Sequence, residues 1–119
     1  MRIAHADDRV AKGWYVGPWN AGLAVAVGYA HQGINEPHLH RTMTEIYMVA
    51  RGSAQVRVEQ QTVTLNKKDV LVIAPGEAHT FLSTSPDYFH FVIQSPALQG
   101  EAARDDKLTV ARTRLGLDA

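Results

Sequence analysis

Apolar and polar positions along the chain repeat in short runs with a period of two. From Leu23 to Ala30, larger residues (Leu23, Val25, Val27, Tyr29) alternate with small ones (Ala24, Ala26, Gly28, Ala30). Side chains on a strand point alternately to its two faces, so this segment is expected to be a strand. One face is then lined by Ala and Gly, which either leaves room for a ligand or packs closely on another sheet. Further short strands are expected at about Leu39–Met43, Glu45–Ala50, Ala54–Glu59, Thr62–Leu65, Val70–Ala74, Thr80–Ser83 and Tyr88–Gln94. Turn residues separate them at Arg51–Gly52, Gln60–Gln61, Asn66–Lys68 and Pro75–Gly76. Many short strands, tight turns and no convincing helix indicate an all-β sandwich or barrel. Gly13–Asn20, rich in Gly, Pro and Trp, reads as a loop or irregular edge. After Pro96 the pattern changes: Gln99–Lys107 is polar with alanines and suits a helical turn, and Leu108–Arg112 suits a last edge strand or a disordered end.

Composition narrows the class. A chain of 119 residues is the size of one domain and can close one core. There is no cysteine, which excludes disulfides, thiolate ligands and a Cys nucleophile and fits a reducing cytoplasm. Twelve basic and 12 acidic residues give a net charge of zero with no basic patch, so a nucleic-acid partner is not expected. The acidic start MRIAHADDRV is unlike an export signal, and no apolar run has the ~20 residues of a membrane span. The expectation is a soluble cytoplasmic domain.

The chemistry gathers at four residues. His38 and His40 sit two apart, so on a strand both imidazoles face one side, ~6.6 Å apart along the chain. Glu45 follows after a stretch long enough for a bend and starts the next strand, facing back. His79 comes just after Ala74-Pro75-Gly76-Glu77, which reads as a type II turn delivering it to the same interior. Three imidazoles and one carboxylate suit one divalent transition metal (Fe, Mn, Ni, Zn or Cu) better than Mg or Ca. Such a set leaves one or two coordination positions for water, dioxygen or a substrate oxygen.

The run from Gly33 through His38-Leu39-His40 and Glu45 to Gly52 resembles the first motif of the cupin superfamily. That motif is a glycine, His-x-His, Glu after three or four residues, and Gly after six more. The run Lys68–Ser83, with Pro75-Gly76 and His79, resembles the second. The likeness covers about residues 23–95 and fits a small single-domain cupin. It implies a double-stranded β-helix or jelly-roll-like barrel, a metal in its mouth and frequent dimers. The expected organisation is one cupin domain over 1–119, barrel core about 23–95, with short irregular terminal extensions. Departures from the motifs fall at turns and strand ends: the Gly33–His38 spacing, Lys68 for Gly, Ala74-Pro75-Gly76 for Pro-x-Gly, and Ser83 for Asn. None falls on the four ligand positions.

Other residues are weighed against plainer roles. Tyr47 shares the face of Glu45 and is either a hydrogen-bond donor to a substrate or, slightly preferred, a core aromatic. Arg57 is expected on the outer face. His90 enters the barrel in one register of Tyr88–Val92, as an acid–base group or a partner of the metal ligands, and faces out in the other. The outward register is favoured, although both faces are apolar. His5 and His31 are expected at the surface, Arg41 pointing away from the metal, and Trp14 and Trp19 at a packed edge. The preferred function is a metal-dependent enzyme of dioxygenase, isomerase or lyase type acting on a small organic substrate. The alternative is a non-catalytic, metal-anchored binding or sensing protein. A homodimer is expected because barrel edges need covering and the N-terminal segment has no evident use within the chain.

Overall fold

The computed structural model describes residues 1–118. The elements run β1 (Lys12–Val16), α1 (Pro18–Ala21), β2 (Ala26–Ala30), β3 (His38–His40), β4 (Thr44–Arg51), β5 (Ser53–Val58), β6 (Gln61–Asn66), β7 (Val70–Ile73), β8 (His79–Thr84), β9 (Phe89–Ser95), α2 (Gly100–Asp106) and β10 (Lys107–Thr109), with a closing 3₁₀ turn at Arg112–Leu115. They form two five-stranded antiparallel sheets, ordered β1-β2-β9-β4-β7 and β10-β3-β8-β5-β6. This is the all-β architecture expected from the strand pattern, in the jelly-roll-like form that the cupin resemblance implies.

Alternation decides which side chains enter. On β4, Glu45, Tyr47 and Val49 are buried, while Ile46 and Met48 lie on the other face. Tyr47, Val49, Val56, Leu65, Ile73, Phe81, Tyr88 and Val92 are among the residues that make the core between the sheets. A buried aliphatic side chain of this kind is worth roughly 1.5–3 kcal/mol relative to exposure. Leu39, Ala78 and Leu115 form a second, smaller cluster. Arg57, on the outer face as expected, donates from Nε to the Leu115 carbonyl at 2.8 Å and ties the C-terminal turn down.

The turn before His79 forms as read: Glu77 N–H donates to the Ala74 carbonyl at 3.2 Å, with Gly76 at φ 85°. Lys68, standing where the motif has Gly, is left-handed at φ 78°. The motif glycine thus answers a backbone need, which Lys meets at a cost of roughly 1–2 kcal/mol.

The tail takes the helical and edge-strand alternatives: α2 leads into β10, which pairs with β3 through Lys107↔His40 and Thr109↔His38. Lys12–Val16 takes the irregular-edge alternative: it is an edge strand paired to β2 from Lys12↔Ala30 to Val16↔Val27, with an irregularity between Trp14 and Val16, so the expectation that the N-terminal segment has no use within the chain is corrected. That irregularity breaks the alternation. Two other expectations are corrected. His90 faces in, at 4% exposed. The outward register failed because Phe89 and Phe91 have an apolar layer of their own outside the sheet, against Tyr29, Tyr15 and His31. His31 is therefore half-buried in that layer rather than a plain surface residue.

Candidate metal centre

β3 carries His38 and His40, β4 opens with Glu45 in its second position, and β8 opens with His79, which pairs directly with His38. The four residues converge from three strands. His40 Nε2 and His79 Nε2 each lie 3.2 Å from Glu45 Oε1. One ligand atom each from His38, Glu45 and His79 fall within 4.8 Å of one another. His40 stands outside that three-residue group but touches the same carboxylate oxygen, its ring centroid 5.3 Å from that of His38.

What stands behind each imidazole sets its proton. His38 Nδ1–H donates to the Glu36 carbonyl at 2.6 Å, and His79 Nδ1–H to the Glu77 carbonyl at 3.0 Å. His40 Nδ1–H donates to the Asp106 carboxylate at 2.9 Å. All three acceptors lack a proton to give, so each Nδ1 must carry one. A neutral ring then offers the Nε2 lone pair inward. Ring nitrogens 3.2 Å from a carboxylate oxygen need a positive centre among them, either protons or a metal ion. Burial pushes the His38 imidazole down to about 4, which leaves it a neutral lone-pair donor. For His40, burial acts in the same downward sense, but the Glu45 and Asp106 carboxylates outweigh it and raise the ring. Burial alone would raise Glu45; hydrogen bonds with His40 and His79 prevail and hold its carboxyl well below the usual range. The donor set therefore fits a divalent transition ion.

Glu45 is further braced. Tyr47 OH donates to Oε1 at 3.1 Å, and Gln94 Nε2 donates to Oε2 at 3.1 Å. Tyr47 thus faces inward as expected, and burial raises its phenol well above the ordinary value. Two residues here escaped the sequence reading. Gln94 was placed only as a strand end, although its register opposite Glu45 follows once β4 and β9 pair. Asp106 lies 66 positions from His40, and its side chain is 1% exposed. It also accepts from the backbone N–H of Thr42 at 2.6 Å and of Met43 at 3.3 Å. No local pattern marks it; it is the last residue of a short polar helix.

A cavity of about 310 Å³ adjoins the cluster, lined among others by His38, His40, Glu45, Tyr47, Phe81, His90 and Gln94. The small-residue row of β2 faces inward, since Ala30, Gly28 and Ala26 pair with His90, Val92 and Gln94. Trp14 fills the space beside Gly28, where a Cβ would come within 2.7 Å of its ring, and so lines the cavity while packing edge-on against Trp19. Gly33 is also required to be small: a Cβ there would sit 2.3 Å from the Phe81 ring. Arg41 is exposed, and His5 is exposed.

Residues 26–93, more than half of the chain, match the cupin domain family model. The chain is a cupin. Streptomyces Pac13, a nucleoside dehydratase, shares the cupin fold at a TM-score of 0.66 and 12% identity, over 84% of this chain and 85% of that one. KdgF from Halomonas sp. aligns at a TM-score of 0.63 and 18% identity, over 74% and 79%. A cupin protein from Bacteroides fragilis aligns at 0.60 and 23%, over 84% and 92%. At these identities the likeness establishes the fold. A search of curated protein sequences finds no significant match. No helix among the described residues is long and apolar enough to cross a membrane.

Proposed function

We propose that this cupin is a metal-dependent enzyme acting on a compact organic substrate, with His38, His40, Glu45 and His79 as the metal ligands. The carrying observation is the set of three imidazoles whose Nδ1–H groups are tied to Glu36, Asp106 and Glu77, which leaves each Nε2 lone pair free, those of His40 and His79 lying 3.2 Å from Glu45 Oε1. A divalent transition ion held there supplies Lewis acidity to a bound oxygen. The protein's own groups do the rest. Asp106 and the two carbonyls fix the rings, and Tyr47 and Gln94 hold Glu45 in place. The cavity, near the lower end of the usual size for small-molecule sites, admits a molecule of a few carbons and limits water. Pac13, a nucleoside dehydratase studied with uridine, is consistent with small-molecule work on this fold.

The test is metal content as isolated, with a search for co-purified organic ligand, followed by reconstitution with iron(II) or manganese(II). Exchangeable water at the metal, a spectral response to small carboxylates, thiols or diols, and turnover are expected. Response without turnover across a broad panel, with and without dioxygen, would favour the binding role. Neither water exchange nor response would end the enzyme reading.

The dimer is also retained as part of this proposal, on a ground different from the N-terminal segment. Two apolar rows cross the outside of the first sheet, Val72–Ile46–Ile93–Val27 and Val70–Met48–Phe91–Tyr29. Val70 and Val72 are 59% and 57% exposed. The outer face of an antiparallel sheet is ordinarily polar, as it is on β5 and β6 where Gln55 pairs with Thr64 and Arg57 with Thr62. A second copy would cover the apolar rows with identical ones. Light scattering at tens of micromolar should give twice the chain mass, and a Val70→Lys, Val72→Lys variant should give one.

A further inference from the structure

His90 lies in the same cavity and is held in the opposite sense. Its Nδ1 is 2.7 Å from the Tyr88 hydroxyl. Tyr88 is 1% exposed, and its hydroxyl has no other partner among the described residues. A buried phenol that donates to nothing forfeits the full cost of desolvation, so Tyr88 donates and His90 Nδ1 accepts. In the neutral ring the proton then sits on Nε2. That atom has no protein partner. It is not buried either, because the one buried unpartnered side-chain polar atom among the described residues is His31 Nε2. His90 lines the cavity, so its Nε2–H opens into it. The ring is clamped by Tyr47, 5.0 Å away and T-shaped, and by Phe81 at 5.4 Å. An N–H donor fixed in direction by three aromatic neighbours, with nothing from the protein to receive it, is suited to a ligand.

We infer that His90 is a ligand-recognition residue whose Nε2–H donates to an acceptor oxygen on the organic molecule bound at the metal cluster. This rests on the metal reading only for where the other end of that molecule lies. His90 stands four positions before Gln94, the residue that holds Glu45. That is about 13 Å at the backbone and less at the side-chain tips, which suits a dicarboxylate, keto acid or sugar acid of roughly four to six carbons. The cluster takes one oxygen function and His90 the other. A molecule with a single oxygen function satisfies only one end.

Two measurements test this, and they fail separately. Imidazole nitrogen–proton correlation spectra of the metal-free protein read the tautomers directly. His90 should be in the Nε2–H form, and Tyr88→Phe should shift it toward Nδ1–H. A wild-type His90 in the Nδ1–H form overturns the proposal whatever the metal does. Cobalt(II)-loaded protein is then titrated with glutarate and with butyrate, which differ in the second carboxylate, and followed by the cobalt visible bands. Glutarate should bind about tenfold more tightly than butyrate, the worth of one hydrogen bond to a charged group. His90→Phe should abolish the preference with the cobalt bands unchanged in intensity, and His90→Gln, which keeps an N–H donor, should restore part of it. An equal preference in wild type and His90→Phe overturns the proposal. Absence of cobalt bands in the wild type defeats the metal reading, and the tautomer result then decides the donor alone.

Discussion

The three histidines around Glu45 and the one further along the cavity differ in what stands behind the ring. His38, His40 and His79 back onto two carbonyls and a carboxylate, which can only accept. His90 backs onto a phenol with nothing else to donate to. The first arrangement turns lone pairs inward and the second turns an N–H inward. One residue type thus provides both a set of lone pairs that could hold a metal ion and a hydrogen-bond donor within one cavity, and the polarity of each is decided by its hidden nitrogen. An imidazole in a site is incompletely described until the partner of its other nitrogen is named.

Removing the inward lone pairs should cost the most. The His40→Ala, His79→Ala double variant should lose metal to background, measured by elemental analysis after dialysis. Full occupancy in that variant would remove the site. One step behind, Asp106→Ala should weaken metal affinity about 10–100-fold, the usual effect of removing the partner behind a ligating histidine. It should also lower the melting temperature, since the buried Met43 amide loses its acceptor at about 1–3 kcal/mol and the part-buried Thr42 amide loses one too. Unchanged affinity would show that the C-terminal segment only packs.

The fourth histidine gives a pH signature. Burial depresses His90 to about 4, below its unfolded value near 6.5. As pH falls through that window the unfolded chain takes up a proton that the folded one refuses. Stability should therefore decline from about pH 6.5 to pH 4. Denaturant midpoints of metal-free His90→Phe should decline less over the same window than those of the wild type; parallel curves would contradict the burial of a neutral ring. The smallest expected effect is at Lys68. Lys68→Gly should raise stability by about 1 kcal/mol by relieving its left-handed backbone.

The four candidate ligands could be read from the chain because their spacing is local: His-x-His on one strand, Glu at the start of the next, and a Pro-Gly turn before His79. The inward face of Tyr47 followed from the same period of two. His90 was read outward because Phe89, Phe91 and Ile93 are as apolar as the residues between them. Only the aromatic layer of Tyr15 and Tyr29 outside the sheet decides between the faces. At Gly13–Asn20 the irregular pairing breaks the period of two, so the sequence leaves loop and irregular edge both open, and the structure takes the edge. Asp106 was hidden because its role depends on tail and barrel meeting across 66 positions, and nothing local encodes that.

In the proposed centre, one buried carboxylate and three oriented imidazoles hold a metal ion. Titrating metal-free protein with cobalt(II) while recording visible absorption and heat tests it most directly. One cobalt per chain should bind, with bands that vanish in Glu45→Ala and weaken in Asp106→Ala. No saturable binding, or equal binding in wild type and Glu45→Ala, would contradict it.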